Sequence, residues 1–400
     1  MKQTLKVATL LSLSTATLLA SGYRIPEQSL NSVALSAAYV ASANGADASY
    51  YNPANMAFMA EGGYIETSLT YINLPKVDYT DSGNSAQNGD SKEENFLLPN
   101  LHYVSPMVGN WRYGLSIVAP AGLSKRWDES YQMQTSEEFT LKVVEINPTA
   151  SYKVNDQLAL GFGLRGVYTT GVIKNQRIGA YTNKMEADSI DFGYNLALSY
   201  KPIEDLTLAA TYRSKVNLTV DGDAKTTLGA GGTSFNGDVK TTIPLPASLA
   251  LAAAYTMDKT TLEFVFERTY WSSYKELDFD FENGVVEASA LGQARPKNWK
   301  DVNAYRIGIS HQYSDALKLM AGFAIDKTPV PSSTMGFELP DSDAKIYSAG
   351  FEYALSKQMK MGLAYLYSDK EDRRVTNSGV NGKFSDSAAH LVTASLKYKF

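Results

Sequence analysis

Cysteine is absent from the 400 residues, which rules out disulfides and thiolate metal sites and suits an oxidising compartment. Histidine occurs only 3 times, at His102, His311 and His390, too far apart to mark a metal constellation, and no local Ser/His/Asp hydrolase motif accompanies them. Long apolar runs are missing as well. The mean hydropathy of −0.23 argues against a bundle of membrane helices. A net charge of −5 gives no electrostatic reason to expect nucleic acid. No phosphate-cradling glycine loop is present, because glycines such as Gly161 and Gly163 fall at strand spacing. No catalytic residue, metal or cofactor is therefore expected.

What the chain does have begins with residues 1–20. Lys2 and Lys6 precede an apolar stretch interrupted only by Ser and Thr, the layout of a secretory signal. The segment is too short and too early to be the working membrane anchor. The mature start is Ser21 or Gly22, with Leu18 a poor match to the small-x-small cleavage rule.

From about residue 63 the chain alternates large apolar with small or polar residues, broken by loops rich in Gly, Asn, Asp and Ser. Leu158, Leu160, Phe162, Leu164 and Tyr168 fall on one face, and Ala159, Gly161, Gly163, Arg165 and Thr169 on the other. The split recurs in residues 192–200, 206–213, 262–267 and 305–310. One face suits lipid, the other water or a ligand. An exported sheet with an apolar outer face must close on itself, because lipid offers no partner for an open edge. The fold class expected is all-β transmembrane, a 14-stranded antiparallel β-barrel, with strands near residues 64–74, 95–105, 111–119, 139–153, 157–170, 189–200 and 206–220, then 241–255, 260–281, 299–313, 316–326, 345–353, 358–367 and 390–400. Short turns alternate with long loops such as residues 81–94 and 369–387, as periplasmic and outer connections do. Tyrosines near strand ends, among them Tyr71, Tyr168, Tyr255 and Tyr367, fit interfacial girdles. The last strand places Val392, Ala394, Leu396, Tyr398 and Phe400 on one face. A terminal aromatic on such a strand resembles the signal read by the outer-membrane barrel insertion machinery.

Residues 21–62 lack the two-residue period. Residues 29–41 read as a small-residue helix with Pro26 before it and Asn44-Gly45 after it, and a second turn is expected near Asn52-Pro53. Side chains alone do not fill so wide a barrel, so this segment is expected to be a small N-terminal helical hatch plugging the lumen; a periplasmic tail or surface cap is the alternative. The division is then signal 1–20, hatch 21–62 and barrel 63–400.

Several motifs resemble the FadL family of outer-membrane transporters for long-chain fatty acids and other hydrophobic molecules. They are Gly22-Tyr23-Arg24-Ile25-Pro26-Glu27-Gln28-Ser29, Asn52-Pro53-Ala54, Leu98-Pro99-Asn100-Leu101-His102-Tyr103, Ala119-Pro120-Ala121-Gly122-Leu123 and Ile146-Asn147-Pro148-Thr149-Ala150-Ser151-Tyr152-Lys153. Their order and spacing together are specific. The resemblance implies passive capture of a long-chain fatty acid or hydrophobic small molecule in an outer groove, transfer to an internal site, hatch movement, and sideways exit where an early strand kinks inward. It also implies lipopolysaccharide and phospholipid as surroundings and a monomer.

Family members typically have Phe where this chain has Tyr23, near the internal ligand pocket. Tyr23 and Arg24 are therefore candidate ligand-binding residues, joined by Arg165, Arg213 and Arg306, which point inward by parity. Each arginine either receives a carboxylate ligand or pairs with a lumen acid such as Glu66, Glu263, Glu267 or Glu352. Asn52, Pro53 and Ala54 are candidates for hatch gating or for a plain Asn-Pro turn. Pro148 is the candidate for a lateral opening or an ordinary bulge. Tyr398 and Phe400 are the candidate assembly signal. A general diffusion porin and a surface adhesin or receptor barrel are the rival functions.

Overall fold

The structure is a computed structural model describing residues 22–229 and 232–400, and the expected signal, residues 1–20, lies outside the described residues. Successive side chains of a strand point to opposite faces. Leu160, Phe162, Leu164 and Tyr168 are accordingly exposed on the outer surface, while Ala159, Arg165, Val167 and Thr169 are buried within. Among the described residues no helix is long and apolar enough to cross a membrane.

The 14 wall strands form a closed ring. They are β1 (Tyr64–Leu74), β2 (Glu94–Val104), β3 (Trp111–Arg126), β4 (Glu138–Lys153), β5 (Leu158–Arg177), β6 (Tyr181–Ile203) and β7 (Leu206–Arg213). Then come β8 (Ser248–Met257), β9 (Thr260–Thr269), β10 (Val302–Gln312), β11 (Leu317–Asp326), β12 (Ala344–Ala354), β13 (Met359–Lys370) and β14 (Ala388–Lys399). Neighbours in sequence pair antiparallel. β14 returns to β1 from Tyr64↔Lys399 to Asn73↔His390. Closure removes the exposed edge that lipid cannot satisfy.

The expected strands are matched in number, with corrected boundaries. Residues 206–220, 241–255 and 260–281 each ran a wall strand together with outer structure. β7 stops at Arg213, after which Val216–Leu228 and Thr233–Leu245 form a hairpin above the wall, pairing with the outer half of β6 from Asp221↔Asp188 to Leu228↔Tyr181. Period two continues across such breaks because the hairpin also buries one face. The long loops at residues 81–94 and 369–387 are tied together in a small outer sheet, with Asp78–Asp81 pairing to Asn381–Ser385.

The hatch lies inside the ring. Its helices are shorter than expected: α1 (Leu30–Ala34), α2 (Ala48–Tyr51) and a 3-10 turn at Pro53–Phe58. The single helix over residues 29–41 does not form. Ser29 caps α1, its Oγ accepting from Ser32 N at 3.3 Å. Ser36 and Ala37 then adopt φ of 49° and 60°, left-handed values that end the helix. The turn frees Tyr39 to donate through its hydroxyl to Asp47 at 3.1 Å. Leu30, Val33 and Ala34 are fully buried and pack in one cluster with inward residues of the wall such as Ala324, Ile346, Leu366 and Leu391.

Candidate functional site: a plugged lumen with an apolar outer chamber

The lower lumen is polar and gripped by charge. Glu145 on β4 pairs with Arg165 on β5 at 2.8 Å and also with Arg213 on β7. Arg213 covers the Tyr50 ring of α2, 4.2 Å from its centroid. Glu267 on β9 pairs with Arg24 of the hatch at 2.7 Å and with Arg306 on β10 at 3.3 Å, and Arg306 also reaches Asp326 at 3.2 Å and Ser36 O at 3.2 Å. All four candidate arginines thus come together with acids at the hatch boundary. Glu267 was among the acids named from sequence. Glu145 was not.

Other wall groups hold hatch backbone directly. Glu263 on β9 accepts from Val40 N and Ala41 N, both at 2.7 Å, and from Ser42 N at 3.0 Å. Arg112 on β3 spends its guanidinium on the carbonyls of Met56, Met59, Ala60 and Gly62 and its Nε on Ser105 O. Neither role was signalled by a motif.

Asn52 is fully buried and donates to Val40 O at 3.0 Å and Ser199 Oγ at 2.8 Å. Ala54 O accepts from Ser151 Oγ at 3.1 Å. Pro53 and Ala54 lie over Gly161 so closely that a Cβ there would stand 2.4 Å from Ala54 N. The triplet is therefore where the hatch is seated on β4, β5 and β6. Asn55, which sequence reasoning passed over, ties the same turn to Val40 O, Ala41 O and Ala43 O.

The upper lumen is largely apolar. Tyr23 stands with its ring 4.7 Å from Trp271 and 5.6 Å from Trp299, edge-on or tilted, and its hydroxyl donates to Pro244 O. Gly22, at φ 67°, lets the chain pass Trp299, where an added Cβ would lie 2.8 Å from the ring. Leu123, Phe139, Leu141 and Ile243 complete a small cavity at Tyr23. Above it lies a cleft of about 430 Å³ between the outer loops, lined in part by Thr135, Ala294, Met335 and Gly379. The two share Phe139, Leu277, Lys297 and Glu338 as walls. Burial would raise the Glu338 carboxyl, but the adjacent Lys297 ammonium outweighs it and holds the group below the usual carboxylate range.

The wall itself is interrupted beside Tyr23. β2 and β3 pair only from Val104↔Gly114 to Leu101↔Ile117. Beyond that, residues 118–125 of β3 are buried on both faces, so this stretch has left the lipid-facing wall and turned inward. The hatch takes the vacated side: Arg24 bridges to Ala121, Ile25 N donates to Pro120 O at 2.8 Å, and Gly122 N donates to Tyr23 O at 2.9 Å. β2 and β3 meet again only at the outer rim, where Lys92 N donates to Arg126 O at 2.8 Å. Pro148 makes a much smaller interruption. The β4–β5 register is the same on both sides, Ile146↔Gly166 and Thr149↔Gly163, and Asn147 Nδ2 donates to Leu164 O at 2.7 Å in place of the N–H that proline lacks.

At the other end Phe400 pairs with Gly63 through both backbone groups, at 2.9 and 3.0 Å. Its ring stacks 6.3 Å from Tyr398, and both side chains face outward.

An apolar-coated ring with a polar-docked plug and an apolar outer chamber defines a transport barrel of the outer membrane. Residues 11–400 match the family model of the outer membrane protein transport proteins (OMPP1/FadL/TodX), and the chain belongs to that family, which comprises transport channels and not enzymes. Among its relatives is the long-chain fatty acid transport protein of Escherichia coli O6:H1, 24% identical over 369 residues and covering 80% of each chain. The crystal structure of a Pseudomonas aeruginosa FadL homologue superposes with a TM-score of 0.85 at 17% identity, covering 95% of this chain and 100% of that one. The Pseudomonas putida toluene transporter TodX gives 0.73 at 19% identity, covering 93% and 99%.

Proposed function

We propose that this barrel passes hydrophobic molecules, long-chain fatty acids or small aromatic compounds, inward across the outer membrane without an energy source. The substrate enters the cleft between the outer loops, moves past Phe139 and Leu277 into the chamber at Tyr23, and leaves sideways through the gap between β2 and β3. The observation that carries this reading is the inward stretch of β3 paired to the hatch at residues 23–25. Directly below the chamber an apolar solute meets Arg24, Arg213 and Glu267, and desolvating such charges is costly. Beside it, where β2 and β3 are unpaired, the hatch segment carries Ile25, which shares an apolar cluster with Phe96, Leu98 and Ala119. Asn52, Pro53 and Ala54 act as the seat about which the hatch shifts. Tyr398 and Phe400 serve recognition by the insertion machinery, in a membrane of lipopolysaccharide and phospholipid.

The absence of native cysteine makes the hatch testable. Ser49 Oγ lies 2.7 Å from Ser116 Oγ on β3, and Ser36 Oγ lies 2.7 Å from Ser348 Oγ on β12. The double variants S49C/S116C and S36C/S348C should abolish uptake of labelled oleate and toluene by whole cells when oxidised and restore it on reduction. Full uptake through both locked hatches would reject hatch rearrangement.

A further inference from the structure

The candidate arginines are all matched by acids, but one buried acid of the hatch is matched by no cation. Glu27 is buried, and neither of its carboxyl oxygens has a hydrogen-bond partner. The charges that face it stand on three wall strands: Glu267 on β9, Arg306 on β10 and Asp326 on β11. Arg306 forms its ion pairs with Glu267 and Asp326, and its Nε, also buried, is left without a partner. Arg24, on the same hatch segment as Glu27, is paired to Glu267. Two guanidiniums therefore stand against three carboxyls here, and Glu27 is the surplus one. On the opposite side His102 of β2 meets Gln28 O through Nε2 at 2.9 Å, and the Tyr51 hydroxyl of α2 lies between Pro26 O and Gln28 N. A buried carboxylate without a partner costs far more than the neutral acid. Burial accordingly pushes the Glu27 carboxyl up to about 7, against the pull of Arg306.

Glu27 lies within the segment that fastens the hatch to inward β3. Ile25 N donates to Pro120 O, and the Gln28 side chain clasps Ala119 in both directions, Nε2 donating to its carbonyl and Oε1 accepting from its N–H, each at 2.9 Å. Both fastenings lie just past Ile117, where the pairing of β3 with β2 stops. A charge arising at Glu27 is stabilised by reaching water or the unpartnered Arg306 Nε, and either movement draws residues 25–28 away from β3.

We infer that Glu27 is a proton-controlled latch: as the neutral acid it lets residues 23–28 dock on β3, and on losing its proton to water it loosens them. The inference rests on the hatch movement proposed above and names what sets its equilibrium. A carboxyl that holds its proton more tightly docked than released favours docking while protonated. Docking is therefore strongest below about pH 4.5, weakens as the pH rises and levels off above about 7.

The test is hydrogen exchange of the full-length barrel in detergent, read by mass spectrometry on peptides covering residues 22–29 and corrected for the intrinsic pH dependence of amide exchange. Between about pH 4.5 and about pH 7.5, protection of the Ile25 and Gln28 amides in wild type should fall roughly 100-fold. In E27Q, which keeps the neutral shape, protection should stay at the acid-side wild-type level throughout, and a wall peptide from β13 should be unaffected in both proteins. Heat-modifiable migration in SDS gels verifies that E27Q is folded. Equal wild-type protection at the two ends of the range overturns the inference without any variant. So does an E27Q barrel that follows the wild-type pH dependence, which would give the titration to His102, or one loosened at every pH, which would show that the ionised carboxylate holds the segment. Uptake through the cysteine-locked hatches keeps the two readings apart. Flat exchange with uptake still blocked by oxidation removes the latch alone, whereas pH-dependent exchange with uptake indifferent to oxidation keeps the latch and removes its part in transport.

Discussion

The two halves of the lumen solve opposite problems with the same wall. Toward the periplasm many inward side chains are charged or amide-bearing, and they bind the hatch or one another: Glu145 with Arg165 and Arg213, Glu263 with three backbone N–H groups, Arg112 with four hatch carbonyls. Toward the outside most inward side chains are apolar, gathered into one cluster around Tyr23, with a few charged pairs such as Lys297 with Glu338 at its margin. Directional polar bonds fix one plug in one place, whereas non-directional apolar contact accepts cargo of varied shape. The boundary between the halves falls between Tyr23 and Arg24, adjacent residues of one hatch segment.

If that division is right, breaking the polar half should loosen the plug and spare ligand affinity. The largest effect is expected from Glu145→Ala, which strands Arg165 and Arg213 in the interior at a cost of about 3–5 kcal/mol. Urea unfolding of the hatch, followed by proteolysis within residues 22–62, should move to lower denaturant, while oleate affinity changes little. A loss of ligand binding as large as the loss of stability would show that the halves are not separable. Next comes Gly161→Ala. A Cβ 2.4 Å from Ala54 N cannot be accommodated without moving the Asn52-Pro53-Ala54 seat, and overpacking of this kind costs about 1–3 kcal/mol. Planar bilayers should then record ion-conducting openings absent from wild type. Silent bilayers would mean that this seat does not keep the lumen closed.

The same division explains what the sequence disclosed. Period two is imposed by the pleat, so strand number was readable from residues 64 to 400, and Arg165, Arg213 and Arg306 were placed inward by parity alone. Partners were not readable, because Glu145 and Arg213 are 68 residues apart and meet only when the ring closes. Alternation also misled at β7, where apolar spacing runs through the bend after Arg213. The break in pairing between β2 and β3 left a trace that period analysis discards: from residue 118 to 125 the alternation fades, and Pro120 and Gly122 interrupt it. Those residues read as a strand end, when in fact the strand continues inward. The hatch helix failed for a tertiary reason. Ala and Ser favour a helix through residue 41, but tertiary bonds from Ser36, Val40 and Ala41 to the wall reward a turn instead.

The smallest change sharpens the comparison most. Tyr23→Phe keeps the ring against Trp271 and Trp299 and deletes only the hydroxyl that donates to Pro244 O, 221 residues away. Losing one such bond costs about 1 kcal/mol. Because the bond ties the chamber floor to the outer hairpin and no polar contact of the lower lumen passes through it, plug stability and bilayer silence should persist. Tryptophan fluorescence and oleate off-rate should change, the rate rising several-fold as the floor loosens. A Tyr23→Phe barrel that conducts ions would place Tyr23 among the plug's fastenings and move the boundary outward, leaving Arg24 no longer the first residue of the polar half.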